Sequence, residues 1–371
     1  MRLVKRAAAL VLFLLLLPCS RADAEVILPA VSARGAILIE AASGRVLYEK
    51  SADRVQEMAS TTKIMTAILA IESGNLDRIV TVSSRAAGTT GSSMELEEGE
   101  TLPLIELLYG LMLQSGNDAA IAIAEAVSGS VEAFVRAMNE KAAALGLSGT
   151  HFANPNGLHD PEHHTTAREL ATLAAYAMQN ETFRTIVGTE YHRTENCSLP
   201  RSIRNKNKFL SQYEGCNGVK TGYTKAAGKC LVIAAKRTGM QLIGVVLDAP
   251  QMWEDAKTLL DYGFAAFELQ HVVHTDEVFT VTVLHGEKNS LPAAPKQDIL
   301  YPIRSDGSES LSIETSCYDT VAAPVALGQT LGRIAITLNG YDLCTVEIVA
   351  TEAAPRRTYR SVLLKALSDW K

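Results

Sequence analysis

The stretch "MASTTKIMTAI", residues 58–68, places a hydroxyl and an amine on what its pattern predicts to be the first turn of a helix. Ser60 stands three residues before Lys63, and the apolar side of the helix begins at Ile64 and Met65. Three helical residues rise about 4.5 Å and return to nearly the same face, so the two side chains can touch. A core-facing lysine is unfavourable unless it is paired or neutral. The stretch therefore predicts either a snorkelling lysine or a lysine whose neutral form is used in chemistry.

The N-terminus has the features of a secretory signal peptide. Basic residues precede an apolar run from Ala7 to Leu17, and the small-residue triplet from Ala22 to Ala24 follows. The run is shorter than the roughly 17 to 25 residues of a membrane span, and no run of that length appears later in the chain. We therefore expect residues 1–24 to be a signal peptide and the mature protein to be exported.

Length and charge narrow the class of protein. The formal net charge is −6, and removal of the leader takes away a net +3, which leaves −9. Nucleic acid is therefore not expected as a partner. The mature chain of about 347 residues exceeds what one core usually supports, so two domains are expected.

Five cysteines remain after cleavage, and none of them has the CxxC spacing of a metal site. Cys317 and Cys344 would close a loop of about 27 residues in an exported protein, which contributes about 3 to 4 kcal/mol in the chain-entropy model. We predict a disulfide between them, with two buried free thiols as the alternative.

The hydrophobic pattern divides the chain into an α/β part and an all-β part. A hairpin is predicted over residues 36–48, helical segments follow, and strands return in "CLVIAAKR" and "MQLIGVVLDA" before a helix over residues 253–269. Beyond residue 270 the sequence is β-branched, alternating and poor in helix signals. We expect a first domain over residues 25–270, an all-β domain over residues 271–352 and an amphipathic helix over residues 353–371.

Three short motifs follow one another along the chain. Ser60-x-x-Lys63 is the first, and its only repeat, at residues 368–371, has nothing downstream. Ser-Gly-Asn occurs at residues 73–75, where the first helix should end, and at residues 115–117, between two helical segments. Lys220-Thr221-Gly222 occurs once, before a strand. Each motif alone is more often an N-cap, a turn or a hairpin end, but their common order favours a catalytic interpretation.

This motif set is shared by class A β-lactamases and penicillin-binding proteins. With the flanking segments "LLYGLMLQSGNDAA", "FANPNGLHD" and "GVKTGYT", the chain from about Ala36 to Phe264 resembles the low-molecular-weight penicillin-binding proteins that are D-alanyl-D-alanine carboxypeptidases. The resemblance implies the penicillin-binding/β-lactamase-like transpeptidase fold, in which an antiparallel sheet meets a helical region, followed by a small all-β domain. It also implies a peptidoglycan stem peptide ending in D-Ala-D-Ala as substrate, β-lactams as covalent inhibitors and no cofactor.

The residue types suit acyl transfer. A serine hydroxyl is a poor nucleophile until a base takes its proton, and Lys63 can act as that base only when its ammonium is destabilised. Burial and a second cation, Lys220, would both lower the pKa of Lys63. Ser115 can relay a proton to the leaving amine, and Asn117 can orient the substrate amide.

The resemblance assigns the remaining site residues. The backbone N–H groups of Ser60 and Tyr223 would form the oxyanion hole, and substrate binding would fall to Lys220, Thr221, Gly222 and Tyr223. Members of the family often carry an arginine between the last strand and the final helix of this domain. Met252 and Trp253 stand there instead, so the contact to the substrate carboxylate rests more heavily on Lys220 and Thr221.

Three other interpretations compete with that of a carboxypeptidase. A zinc peptidase could use His159, Asp160, His163 and His164, but proline interrupts this segment and there is no His-Glu-x-x-His helix, so no metal site and a solvated loop are predicted. A class A β-lactamase needs a glutamate with a downstream Leu-Asn, which neither Glu162 nor Glu169 has. A β-lactam sensor usually needs a transmembrane segment, and the sequence after the expected signal peptide has no apolar run long enough for one.

The C-terminal segment "RRTYRSVLLKALSDWK", residues 356–371, places its apolar residues on one helical stripe and carries a net charge of +4. Such a helix can lie in the interface of an anionic membrane. The alternative is a helix that packs onto its own β domain. We expect peripheral attachment to the outer face of the cytoplasmic membrane, or secretion.

Overall fold

The computed structural model describes residues 28–360, 362, 363 and 370. The expected signal peptide lies outside the described residues, as do residues 361, 364–369 and 371 of the expected C-terminal helix. The described part confirms an α/β fold with an antiparallel sheet and a helical region, followed by an all-β part.

The α/β part contains nine strands within the described residues. They are β1 (Gly35–Glu40), β2 (Val46–Lys50), β3 (Ile79–Thr81), β4 (Thr101–Pro103), β5 (Tyr191–Arg193), β6 (Ser202–Arg204), β7 (Cys216–Thr224), β8 (Gly228–Arg237) and β9 (Met240–Leu247). Five of them form the main antiparallel sheet in the order β2-β1-β9-β8-β7. β3 pairs with β4, and β5 pairs with β6.

The helices of this part cover both faces of the sheet. They are α1 (Lys63–Glu72), α2 (Ser84–Ala87), α3 (Leu104–Tyr109), α4 (Asn117–Ser128), α5 (Val131–Ala144), α6 (Ala167–Ala177), α7 (Glu181–Gly188), α8 (Phe209–Gln212) and α9 (Met252–Ala266). A 3₁₀ turn over Ala59–Thr62 precedes α1, and a π-helical turn over Gly110–Gln114 follows α3.

Strand β1 shows how the sheet is buried from two sides. All six of its residues are buried, and alternate side chains point to opposite faces. Ile37 and Ile39 belong to the core shared with the helical region, whereas Ala36 and Leu38 belong to a second core beneath α9. The close fit of α9 depends on Gly263, because a β-carbon there would lie 2.6 Å from side-chain atoms of Leu38 and Leu242.

The all-β part contains the remaining strands of the described chain. They are β10 (Phe267–Val273), β11 (Phe279–Leu284), β12 (Ser290–Pro295), β13 (Ile299–Arg304), β14 (Leu311–Cys317), β15 (Thr320–Ala322), β16 (Thr330–Leu338) and β17 (Tyr341–Ala350). Six strands form one sheet in the order β14-β16-β17-β12-β11-β15, and β10 pairs with β13.

The helix predicted over residues 253–269 ends earlier, at Ala266. Phe267 is buried and opens β10, and its ring lies 5.2 Å from the guanidinium carbon of Arg45 and 5.4 Å from that of Arg304. These contacts come from residues distant in sequence. They favour a strand from Phe267 onward, although the apolar residues keep a helical spacing up to residue 269.

The predicted disulfide between Cys317 and Cys344 is wrong. Cys317 lies on β14 and Cys344 on β17, and β16 runs between these two strands. Two strand spacings amount to about 9.5 Å, beyond the roughly 7 Å between α-carbons that a disulfide allows. Both are free thiols, and burial raises the pKa of each. Loop length alone could not reveal the intervening strand.

Among the described residues, no helix combines the length and the apolar character that crossing a bilayer requires.

Arg45 joins the two parts of the molecule. It lies in the connection between β1 and β2, and its guanidinium donates to the carbonyl of Pro302 and to the carboxylate of Glu309. The ring centroids of Phe267 and Tyr301 lie 5.2 Å from its guanidinium carbon. The side chains of Arg45 and Glu309 are 12% and 9% exposed, so this ion pair is largely buried.

We expect Arg45→Ala to lower the free energy of unfolding by about 3 to 5 kcal/mol, because it leaves the carboxylate of Glu309 buried without its cation. Chemical denaturation followed by circular dichroism measures the loss. Arg34→Ala is the matched control, since Arg34 is 56% exposed and pairs with Asp248 at the surface. A loss in Arg45→Ala no larger than in the control would contradict the prediction.

Candidate active site

Ser60 lies on the 3₁₀ turn that leads into α1, and two glycines allow other segments to approach this turn closely. A β-carbon at Gly157 would lie 2.0 Å from the carbonyl oxygen of Ala59, and one at Gly222 would lie 3.1 Å from the Ser60 nitrogen. Gly157 also has a φ of +86°, which favours glycine. The loop around residue 157 and strand β7 therefore both flank the Ser60 backbone.

Lys63 is fully buried, so it does not snorkel to solvent. Its Nζ lies 3.1 Å from the Ser60 Oγ and 2.8 Å from the Asn117 Oδ1, and it also contacts the carbonyl oxygen of Asn156. None of these partners is a carboxylate. Burial holds the pKa of Lys63 well below its usual value, and the charges of Lys220 and Lys206 lower it further, against the opposing effect of Asp118. The geometry and the surrounding charges favour a neutral amine beside the hydroxyl.

The second motif borders the same space. Ser115 is buried and has a φ of +63°, at the end of the π-helical turn. Asn117 opens α4, and its Nδ2 donates to the Thr90 carbonyl at 2.8 Å, which leaves the Oδ1 facing Lys63. The carboxylate of Asp118 accepts from the Ser93 hydroxyl at 2.6 Å and thereby holds the adjoining loop.

The third motif lies on β7. Lys220 is 1% exposed, and its Nζ donates to the Thr221 carbonyl at 3.0 Å. Burial, together with the charge of Lys206, lowers the pKa of Lys220 to about 7. Gly222 lies against the Ser60 turn, and Tyr223 is 66% exposed at the end of the strand. The structure thus brings the segments of all three motifs together around Ser60 and Lys63.

Sequence reasoning missed three residues near these motifs. The charge of Lys206 lowers the pKa of both Lys63 and Lys220, yet "NKNK" reads as an ordinary polar loop. Asn156 contacts Lys63 through its backbone carbonyl, and a motif of side chains cannot reveal such a contact. The only available signal was "NPNG", which indicates a turn at this point of the chain. His163 is 2% exposed and contacts the Thr62 hydroxyl, so the prediction of a solvated loop was wrong at this residue.

The other candidate metal ligands do not gather around an ion site. His159 pairs with Glu57 at 2.8 Å. Among the described residues, no group of three or more His, Cys, Asp or Glu side chains could hold a metal ion.

Met252 and Trp253 stand where members of the family often carry an arginine, and neither side chain is a cation. Trp253 packs against Phe209, with ring centroids 5.0 Å apart, and the Lys208 ammonium lies 4.9 Å from its ring centroid. Trp253 therefore belongs to the packing beneath α9.

Known proteins match both parts of the chain. The family model described as "D-alanyl-D-alanine carboxypeptidase" matches residues 22–251, and the one described as "Penicillin-binding protein 5, C-terminal domain" matches residues 267–356. The D-alanyl-D-alanine carboxypeptidase DacF of Bacillus subtilis is 33% identical over 91% of this chain and 90% of its own length. DacC of Escherichia coli is 35% identical over 91% and 88% of the two chains.

Solved structures agree with these relatives. Penicillin-binding protein 5 from Haemophilus influenzae superposes with a TM-score of 0.76 at 28% identity, covering 89% of this chain and 100% of that structure. The chain therefore belongs to the D-alanyl-D-alanine carboxypeptidase family of penicillin-binding proteins.

Proposed function

We propose that Ser60 is the nucleophile with which this serine-type carboxypeptidase removes the terminal D-alanine from peptidoglycan stem peptides. The observation that carries the proposal is the fully buried Lys63 amine, 3.1 Å from the Ser60 Oγ. A neutral amine at that distance can accept the hydroxyl proton, whereas an ammonium cannot. The low pKa of Lys63 therefore supports its role as general base.

The reaction proceeds by acylation and hydrolysis. The Ser60 Oγ attacks the carbonyl of the D-Ala-D-Ala peptide bond while Lys63 takes its proton. The developing oxyanion accepts from the N–H groups of Ser60 and Tyr223, which stabilise it in a preorganised site. Ser115 relays the proton from Lys63 to the amine of the departing D-alanine, and water then hydrolyses the ester and restores the Ser60 hydroxyl. A penicillin follows the first half of this path and acylates Ser60.

The substrate carboxylate binds at the third motif. Lys220 and Thr221 contact it on β7, with Gly222 and Tyr223 lining the approach. Lys206 supplies a further positive charge near Lys220. This charge takes the place of the family's arginine, which is absent between β9 and α9. A bound carboxylate favours the charged form of Lys220 and offsets the effect of burial on its pKa.

We expect Lys206→Gln to move the bell-shaped pH profile of kcat/KM to higher pH. Lys63 must be neutral and Lys220 charged in the free enzyme, and Lys220 loses its charge as the pH rises through about 7. Removing the Lys206 charge raises the pKa of both lysines, so both limbs move upward. Lys208→Gln is the matched control, because that ammonium contacts Trp253. Equal profiles for the two variants would contradict the role of Lys206.

Release of D-alanine from diacetyl-lysyl-D-Ala-D-Ala tests the function directly. We expect turnover of this peptide together with slow, stoichiometric labelling by nitrocefin. Rapid nitrocefin hydrolysis without D-alanine release would favour a β-lactamase, and stable acylation without any peptide turnover would favour a β-lactam sensor.

We also propose that the enzyme acts outside the cytoplasmic membrane, with residues 356–371 holding it at the surface. Exported D-Ala-D-Ala peptides are its substrate, and the described apolar residues of this segment face solvent. Tyr359, Val362, Leu363 and Trp370 are 95%, 51%, 58% and 93% exposed. The basic residues of the segment complement anionic lipid.

We expect residues 25–371 to float with anionic liposomes at low salt and a version ending at Pro355 to remain in the soluble fraction. The truncation removes the apolar stripe and a net +4 together. Neutral liposomes and high salt serve as controls, and both should weaken binding. Equal flotation of the two versions would exclude the segment as an anchor.

A further inference from the structure

The peptide unit between Ala59 and Ser60 has an unusual conformation. Ala59 has a φ of +47°, a region that residues with a β-carbon rarely adopt. A trans peptide unit is planar, so its C=O and N–H point in opposite directions. Any group that fixes the carbonyl of Ala59 therefore also fixes the direction of the Ser60 N–H.

A side-chain hydroxyl holds that carbonyl. The Thr62 Oγ1 donates to the carbonyl oxygen of Ala59 at 2.7 Å, and Thr62 is fully buried. The same Oγ1 lies 2.6 Å from the Nε2 of His163. A threonine hydroxyl has one proton, and in Thr62 that proton makes the hydrogen bond to the Ala59 carbonyl. The Thr62 oxygen can therefore only accept from His163, so the His163 Nε2 must carry a hydrogen and donate it.

The other ring nitrogen of His163 is also assigned by its partner. The backbone N–H of Ala153 donates to the His163 Nδ1 at 3.0 Å, and a backbone N–H can only donate. The Nδ1 is therefore unprotonated, and the ring is the neutral Nε2–H form. The edge-to-face contact with Phe152, at a centroid distance of 5.8 Å, keeps the ring in an apolar setting.

The surroundings of His163 also favour the neutral form of its ring. The pKa of His163 is lowered to about 4, mainly by burial; Asp160 opposes this shift, and His151, His164 and Lys63 add to it. The imidazole thus keeps one donor and one acceptor over the neutral pH range. It forms one continuous chain of hydrogen bonds, from Ala153 N–H through His163 and Thr62 to Ala59 C=O.

We propose that His163 is a positioning residue that, through the Thr62 hydroxyl, holds the Ala59–Ser60 peptide plane so that the Ser60 N–H faces the reacting carbonyl. The inference rests on the proposed role of Ser60 and its N–H, and adds to it a residue outside the three motifs. Both the attack of Ser60 and the later attack of water develop an oxyanion in the same place. The chain of hydrogen bonds therefore supports acylation and deacylation alike.

Four single variants separate positioning from packing. His163→Leu and Thr62→Val remove hydrogen bonds from the chain, whereas His163→Gln keeps an acceptor and a donor near the two ring nitrogens. His164→Leu is the control, because His164 neighbours His163 and contacts the His151 ring instead of Thr62. Stopped-flow acylation by a fluorescent penicillin gives the non-covalent dissociation constant and the acylation rate constant, release of the label gives the deacylation rate constant, and peptide mapping locates the label.

We expect the acylation and deacylation rate constants to fall about 10- to 100-fold in His163→Leu and Thr62→Val, and the non-covalent dissociation constant to stay unchanged. This fall is smaller than that for complete loss of an oxyanion-hole donor, because the Ser60 N–H is still present. His163→Gln should recover most of the rate at both steps. Because both residues act through one carbonyl, the double variant should be no slower than the slower single variant.

Three results would overturn the inference. Rate constants in His163→Leu and Thr62→Val equal to those of the control, with the label on Ser60, would remove the positioning role and leave the proposed function intact. His163→Gln as slow as His163→Leu would reduce His163 to packing. A label on a residue other than Ser60 in the unmodified protein would instead refute the proposed function. Thr62→Val keeps the test available if His163→Leu does not fold.

Discussion

The Ser60→Ala variant is expected to lose covalent labelling by fluorescent penicillin and release of D-alanine altogether, while it keeps its fold. No hydroxyl remains to form the acyl-enzyme, and the change removes a single oxygen from a turn that the flanking backbone holds in place. Gel fluorescence after incubation with the label measures acylation, and circular dichroism checks the fold.

Ser73→Ala is the matched control for this change. Ser73 heads the other Ser-Gly-Asn sequence, follows the end of α1, and donates to the Ala70 carbonyl at 2.7 Å. Labelling of this variant should equal that of the unmodified protein. A covalent label on Ser60→Ala, at whatever residue peptide mapping finds it, would show that another group is the nucleophile.

Lys63→Ala is expected to slow acylation by about 10² to 10⁴, the range typical for loss of a general base. The Ser60 hydroxyl would then have to surrender its proton to water, a weaker base than the amine. Stopped-flow labelling at several penicillin concentrations separates the rate constant from binding.

Lys63→Met accompanies Lys63→Ala because it keeps most of the side-chain volume, and a similar loss in both variants assigns the effect to the amine. Lys208→Ala tests for a general effect of removing a lysine, because the Lys208 ammonium contacts Trp253. If acylation stays normal in the two Lys63 variants, Lys63 has a structural role only.

The sequence predicted those features that depend on local periodicity. The hairpin of β1 and β2, the helix after Ser60 and the strands "CLVIAAKR" and "MQLIGVVLDA" lie where the pattern of apolar residues places them. The early end of α9 and the separation of Cys317 from Cys344 depend on strand pairing between distant segments. Neither pairing leaves a signal in the spacing of the residues concerned.

The same distinction applies to the site. Ser60, Lys63 and Lys220 could be recognised because their side chains belong to ordered motifs. His163 looked like one member of a polar loop, since "LHDPEHH" contains no signal that separates its one buried histidine from its less buried neighbours. What distinguishes it is the packing of that loop against the turn carrying Thr62, which exists only in the folded chain.

The absence of a β-carbon at residue 157 has a consequence for genetic surveys of antibiotic response. Replacement of Gly157 by any other residue would place an atom against the backbone that presents Ser60, although Gly157 belongs to none of the three motifs. A single codon change there can therefore diminish the reaction with penicillin while every motif still reads as intact. Screening that inspects only the motif codons would classify such an allele as unchanged in its reaction with penicillin.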